Sequence, residues 1–196
     1  MSTIKTNQLA HTANGAAVYT LPQTDGSAGQ VLRTDGSGNL SWVNDSGKIL
    51  QVVEHEFDDE THSTSTSFID LTGSSKALTL SNSSNKVLIQ ASIYCRHYRS
   101  YSGMGISLKI QKTVSGTTSD VYDPVQSGIM FYHDTSQLSN HDIRGFQTLY
   151  HLDTPGNTSV TYKLQCRGYT NSNSGQWSIN RAANNTASIS KIIFME

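Results

Sequence analysis

The chain has 196 residues and a mass of 21.4 kDa, enough for one domain of ordinary size plus an extension. Its net charge is −1, from 14 Lys and Arg against 15 Asp and Glu with no basic run, so nucleic acid is not expected as a partner. No apolar stretch approaches the ~20 residues of a membrane span, so insertion into a membrane is not expected either.

Only 15% of residues are charged, and Ser, Thr, Asn and Gly fill the difference. Ser, Thr and Asn compete with helical backbone bonds, and Thr and aromatics suit strands. The first residues, Met1, Ser2, Thr3, Ile4 and Lys5, lack the apolar core of a secretion signal, so synthesis and assembly are expected in a cytoplasm.

Residues 1–47 are thin in apolar side chains. Ile4, Leu9, Val18, Leu21, Val31, Leu32, Leu40, Trp42 and Val43 are nearly all it has beyond alanine. Spread over that length they cannot build a core of their own, so the segment is either disordered or ordered by other chains. One short repeat, Thr24-Asp25-Gly26-Ser27 and Thr34-Asp35-Gly36-Ser37, supplies turn signals. The second copy lies between two apolar runs, and Asp-Gly there predicts a hairpin.

From Lys48 the character changes to short alternating runs. Val87, Ile89, Ala91, Ile93 and Cys95 share one face. Ile106, Leu108 and Ile110 alternate with Ser107, Lys109 and Gln111, and Val160, Tyr162, Leu164 and Cys166 with Thr161, Lys163 and Gln165. Period two is the mark of half-buried strands. Further strands are expected at residues 50–57, 68–71, 77–80, 129–132, 146–152, 177–180 and 189–195, separated by polar turn clusters. No helical periodicity is sustained. The expected fold is all-β: an antiparallel, jelly-roll-like sandwich over residues 48–196 behind an extended N-terminal segment over residues 1–47. Both cysteines, Cys95 and Cys166, fall at inward positions and read as buried thiols before they read as a disulfide.

Three groupings could carry chemistry. His55, Glu56, Asp58, Asp59, Glu60 and His62 are the densest set of metal-ligand types, but the spacing fits neither a calcium loop nor a closed zinc site. A solvated acidic turn is the default, and no metal or cofactor is expected. Asp120, Asp123, Asp134, Asp142 and Asp153 could supply a glycosidase pair, yet nothing selects two of them, and no nucleophile elbow or phosphate-cradling loop is present. The chain is therefore expected not to be an enzyme. Arg96, His97, Tyr98, Arg99, Ser100 and Tyr101 join two strong strands. Guanidinium and phenol groups can stack on sugars and donate to hydroxyls, so Arg96, Tyr98, Arg99 and Tyr101 are candidate ligand contacts; a plain polar loop is the competing reading.

Much of the chain resembles virion surface proteins of tailed bacteriophages, marine and cyanobacterial ones especially. The opening carries it best: Ala13-Asn14-Gly15-Ala16-Ala17, Tyr19-Thr20-Leu21-Pro22, Asp25-Gly26-Ser27-Ala28-Gly29-Gln30-Val31-Leu32 and Thr34-Asp35-Gly36-Ser37-Gly38-Asn39-Leu40-Ser41-Trp42 are similar to the opening of their tail-fibre proteins. Body stretches such as Lys48-Ile49-Leu50-Gln51-Val52-Val53 and Asp153-Thr154-Pro155-Gly156-Asn157-Thr158 match less specifically. The resemblance implies a homotrimeric structural protein of the virion, without cofactor, bound to other tail or capsid proteins. It would be a fibre or spike subunit contacting a host-surface glycan, or alternatively a decoration protein cementing the head; a polysaccharide-degrading spike is the remoter alternative. Ile4, Leu9, Val18, Leu21, Leu40 and Trp42 would be the virion-anchoring and trimer contacts. Residues 96–140 match no stretch of that family and are the expected place for ligand reading.

Overall fold

The computed structural model describes residues 6–10, 18–45, 47–99, 104–123, 131–133, 141–170, 176–181 and 188–196. The chain divides into two compact units, Met1–Lys48 and Ile49–Glu196.

The first unit holds two small antiparallel pairs. Strands β1 (Gln8–Ala10) and β2 (Val18–Thr20) form one, and β3 (Gln30–Thr34) and β4 (Leu40–Asn44) form the other. The hairpin predicted around Asp35-Gly36 is present, but its loop is wider than a two-residue turn. Gly36 and Gly38 both take positive φ, +81° and +91°. The Asp35 carboxylate closes the loop by accepting from the backbone N–H of Ser37 at 2.7 Å and of Asn39 at 3.1 Å. Of residues 6–9, 18–45 and 47–48, none is buried.

The second unit is a two-layer all-β sandwich built of antiparallel strands. One layer contains β5 (Val52–Phe57), β6 (Thr61–Ser63), β9 (Val87–Arg99), β13 (His141–Asp153), β15 (Gln176–Ile179) and β16 (Ser190–Met195). The other contains β7 (Ile69–Asp70), β8 (Lys76–Thr79), β10 (Met104–Val114), β11 (Thr117–Tyr122), β12 (Phe131–His133) and β14 (Ser159–Thr170). The chain changes layer on entering β7, β9, β10, β13, β14 and β15, the repeated crossing that defines a jelly roll.

Long β9 and β14 anchor the layers. β9 pairs with β13 on one side and with β15 and β16 on the other; β14 pairs with β10 on one side and with β7 and β8 on the other. The alternation read from the sequence sets the burial: Val87, Ile89, Ala91, Ile93 and Cys95 of β9 join Ile106, Leu108, Ile110, Val160, Tyr162, Leu164, Cys166, Trp177, Ile179, Ile192 and Phe194 in one core between the layers. Both cysteines are free and buried.

Some elements differ from the sequence reading. β9 runs on to Arg99, so Arg96, Tyr98 and Arg99 are strand residues and not a connecting loop. Continued pairing against β13, with Arg96 opposite Arg144 and Arg99 opposite His141, outweighs the polarity of that stretch. Strands β6 and β11 were not expected: Thr61–Ser63 is short and polar, and Thr117–Tyr122 is mostly exposed. Of the strand expected at 129–132, the first two residues lie outside the described residues.

Candidate functional site: a guanidinium-lined cleft

Where β6, β9 and β15 run side by side, a cleft of about 220 Å3 opens, lined by His62, Arg96, Gln176, Trp177, Ser178 and Arg181. Register explains its composition. Ser178 lies opposite both Arg96 and His62, which brings a hydroxyl, a guanidinium and an imidazole into one row across three strands. Trp177 and Ser178 are buried and form the floor; His62 and Gln176 are exposed.

Two devices hold the floor. The Trp177 indole N–H and the Gly168 backbone N–H both donate to the Ser65 carbonyl oxygen, at 3.0 and 2.9 Å. A Cβ at Gly168 would stand 2.6 Å from the Trp177 ring, so only glycine lets the indole lie there. Asn180 has a positive φ of 60°. Its side-chain amide donates to the carbonyl oxygens of Phe57 and Asp59 at 3.0 and 3.2 Å and accepts from the Ser190 hydroxyl at 2.5 Å. Residues 58–60 and Arg181 are thereby fixed beside the cleft, where Arg181 pairs with Glu60 at 3.3 Å.

Arg96 donates through Nε and Nη2 to the two carboxylate oxygens of Asp142, at 2.8 and 2.9 Å, and Arg144 pairs with the same carboxylate. The Arg144 hydrogen bond and, against the opposing cost of burial, the Arg96 one hold Asp142 well below the usual carboxylate range. A carboxyl held that low is unsuited to general-acid work. The other candidate carboxylates are also paired: Asp120 and Asp123 with Lys109, and Asp153 with Lys112 and the Tyr162 hydroxyl. Asp134 lies outside the described residues. The acidic cluster at 55–62 is dispersed by strand alternation, with His55 on the Gly73 carbonyl, Glu56 on Lys191 and Glu60 on Arg181. Among the described residues no group of three or more His, Cys, Asp or Glu is placed to hold a metal. The cleft's donors suit hydrogen bonding to sugar hydroxyls or a small anion.

Of the ligand candidates named from sequence, Arg96 lines the cleft. Tyr98 sits in β9 opposite Asp142 and Gln176, and Arg99 opposite His141. Tyr101 lies outside the described residues. His62 was named only as a metal-ligand type, and Gln176, Trp177, Ser178 and Arg181 were not named as ligand contacts; with Arg96 they come from three separate stretches, and only strand register brings them together.

Of the contacts proposed for the N-terminal segment, Ile4 lies outside the described residues. Leu9 and Val18 are exposed; Leu21 and Leu40 are half-buried. Trp42 is exposed yet seated on its own chain: its indole N–H donates to the Thr24 carbonyl at 2.8 Å, and its ring lies so close to Gly26 that a Cβ there would stand 2.6 Å away.

No family model matches the chain, and no curated protein sequence does. Among solved structures it is similar to the infectious bursal disease virus Gx strain, with 10% identity and a TM-score of 0.36 over 80% of this chain and 38% of that one. It is similar also to the VP2 subviral particle of infectious bursal disease virus, with 11% identity and a TM-score of 0.41 over 80% of this chain and 39% of that one. This chain spans less than half the length of either.

Proposed function

We propose that the protein is a non-enzymatic structural subunit of a tailed-bacteriophage particle, a trimeric fibre or spike component whose sandwich is displayed on the particle and meets the host surface. The observation that carries this reading is the N-terminal unit: none of residues 6–9, 18–45 and 47–48 is buried, and Leu9, Val18, Tyr19, Val31, Leu32 and Trp42 remain exposed. An ordered segment of that kind needs apolar surface from other chains. Its sequence is also the part that most resembles the opening of fibre proteins. Contact with a host glycan is supported by the donors of the cleft at Arg96, His62, Gln176 and Arg181.

The test is labelling of purified particles with antibody to the body, combined with quantitative mass spectrometry. Label at the tail with a few trimers per particle is expected. Label over the head, with copies following the capsid three-fold positions, would replace the fibre reading by a decoration role. Absence from the particle would remove both.

A further inference from the structure

We propose that the cleft between β6, β9 and β15 selects a sugar that carries one negative charge, a carboxylate or a sulfate ester, over its neutral counterpart. The proposal rests on the glycan-contact reading above and assigns the ligand its chemical class. Among the described residues that line the cleft, Arg96, Arg181 and His62 are basic and none is a carboxylate. A guanidinium donates and never accepts, so two of them suit an anion, which only accepts, better than a hydroxyl, which must also donate. Stacking on the indole does not make up the difference for a neutral sugar, since Trp177 is 1% exposed and offers no open ring face.

The carboxylates nearby do not cancel this charge. Asp142 is shared by Arg96 and Arg144, so the trio carries an excess of one positive charge. The bonds from Arg96 to Asp142 use Nε and Nη2 and do not involve Nη1. The Arg96 side chain is 19% exposed and already held by Asp142, so a ligand need not bear the cost of ordering it. Arg181 and Glu60 form a neutral pair at 3.3 Å. The Asp59 carboxylate lies against Gly73, and neither Asp58, Asp59 nor Gly73 lines the cleft. The acidic excess of this layer, Glu54 and Glu56 on Lys191, is centred opposite Ser92, four residues along β9 from Arg96. That separation is roughly 13 Å, beyond the ~8 Å over which exposed charges act through physiological salt.

Size and charge together narrow the ligand. At about 220 Å3 the cleft falls below the ~300 Å3 from which pockets take drug-sized ligands, so it holds one sugar unit and not a run of them. One negative charge answers the excess of one. A phosphate ester, with about −1.5 to −2 charge at neutral pH, would overshoot it, whereas a carboxylate or a sulfate ester would not. Gln176, Ser178 and His62 can both donate and accept, and they remain for the hydroxyls of the same sugar.

The test titrates the full chain at neutral pH with methyl glucuronide, glucose 6-sulfate and the neutral methyl glucoside, followed by ligand-observed NMR. At least one charged sugar should bind about tenfold tighter than the glucoside, the step from a neutral to a charge-assisted hydrogen bond, and the tighter of the two names the charged group. Arg96→Gln and Arg181→Gln should each remove that preference with unchanged circular dichroism; in the first, Asp142 keeps Arg144 as its partner. Lys163→Gln, which removes an equal charge from β14 in the opposite layer, should keep the preference. Equal binding of charged and neutral sugars, lost in Arg96→Gln, would overturn the charge selection and leave the glycan contact standing. A preference that survives both arginine substitutions, or that Lys163→Gln abolishes as fully, would overturn the cleft as its source. No binding of any of the three sugars in the mM range would overturn the selection and the glycan contact together, while the role in the particle is decided separately by the antibody labelling.

Discussion

Single residues carry much of the sandwich's precision. Adding a methyl group at Gly168 forces the Trp177 ring to move, so Gly168→Ala should cost ~1–3 kcal/mol in denaturant unfolding. Asn180 is needed twice, for its amide bonds and for its positive φ. Asn180→Gly keeps the backbone and loses the bonds, costing ~1–3 kcal/mol. Asn180→Ala loses both and should cost ~1 kcal/mol or more beyond that; equal midpoints for the two variants would show that φ is immaterial. Cys95 and Cys166 are buried thiols, and burial pushes both up, with Cys95 raising Cys166 further. Neither should react with a thiol reagent until the protein unfolds.

Glu196 sets an acid limit. Burial opposes its ionisation, but hydrogen bonds from Asn85, Ser81 and Gln51 outweigh that and bring its pKa from 4.5 down to about 2. A carboxylate held below its unfolded value stabilises the fold above about pH 4.5, and the contribution drains away as the pH falls towards 2. Asp70, lowered chiefly by Lys163, and Asp142, lowered chiefly by Arg144, act in the same direction. The midpoint of thermal unfolding should therefore drop through this window, and Glu196→Gln should flatten the drop.

At the scale of elements, the hairpin β3–β4 and the strand β9 are instructive opposites. The hairpin was visible because Asp35, Gly36 and Gly38 are local signals that need no distant partner. β9 was visible only as far as Cys95. Its last residues are polar, and what keeps them in a strand is pairing with β13 on one edge and β15 on the other. The N-terminal elements yield a fluorescence prediction, since the chain has two tryptophans, one buried at Trp177 and one exposed at Trp42. In a Trp177→Phe background, acrylamide should quench Trp42 readily in dissociated chains and poorly in assembled ones. Equal quenching in both states would show that the N-terminal unit is not where copies meet.

For the whole molecule, the division at Lys48 separates a part with a core from a part that shows none among its described residues. A truncation beginning at Lys48 should retain the β-type circular dichroism and cooperative unfolding of the sandwich, yet fail to join particles and assemble less well. A truncated chain incorporated at normal occupancy would move the attachment function into the body. Removing the body's own floor is the contrasting case: Trp177→Ala should cost ~3–5 kcal/mol and threaten the fold itself.

The sequence by itself determined the all-β class, the inward faces of β9, β10 and β14, the burial of both cysteines and the apolar poverty of the N-terminal segment. Each follows from short-range periodicity or composition, which a single strand carries whole. Only the tertiary structure decided the cleft and the single apolar row across β13, β9, β16 and β5. Arg96, Ser178 and His62 are distant in the chain, as are Leu152, Leu88, Met195 and Val52. They meet because a shift of one residue in register would send every side chain of a strand to the other face, and register is fixed by the neighbouring strands and not by the strand alone.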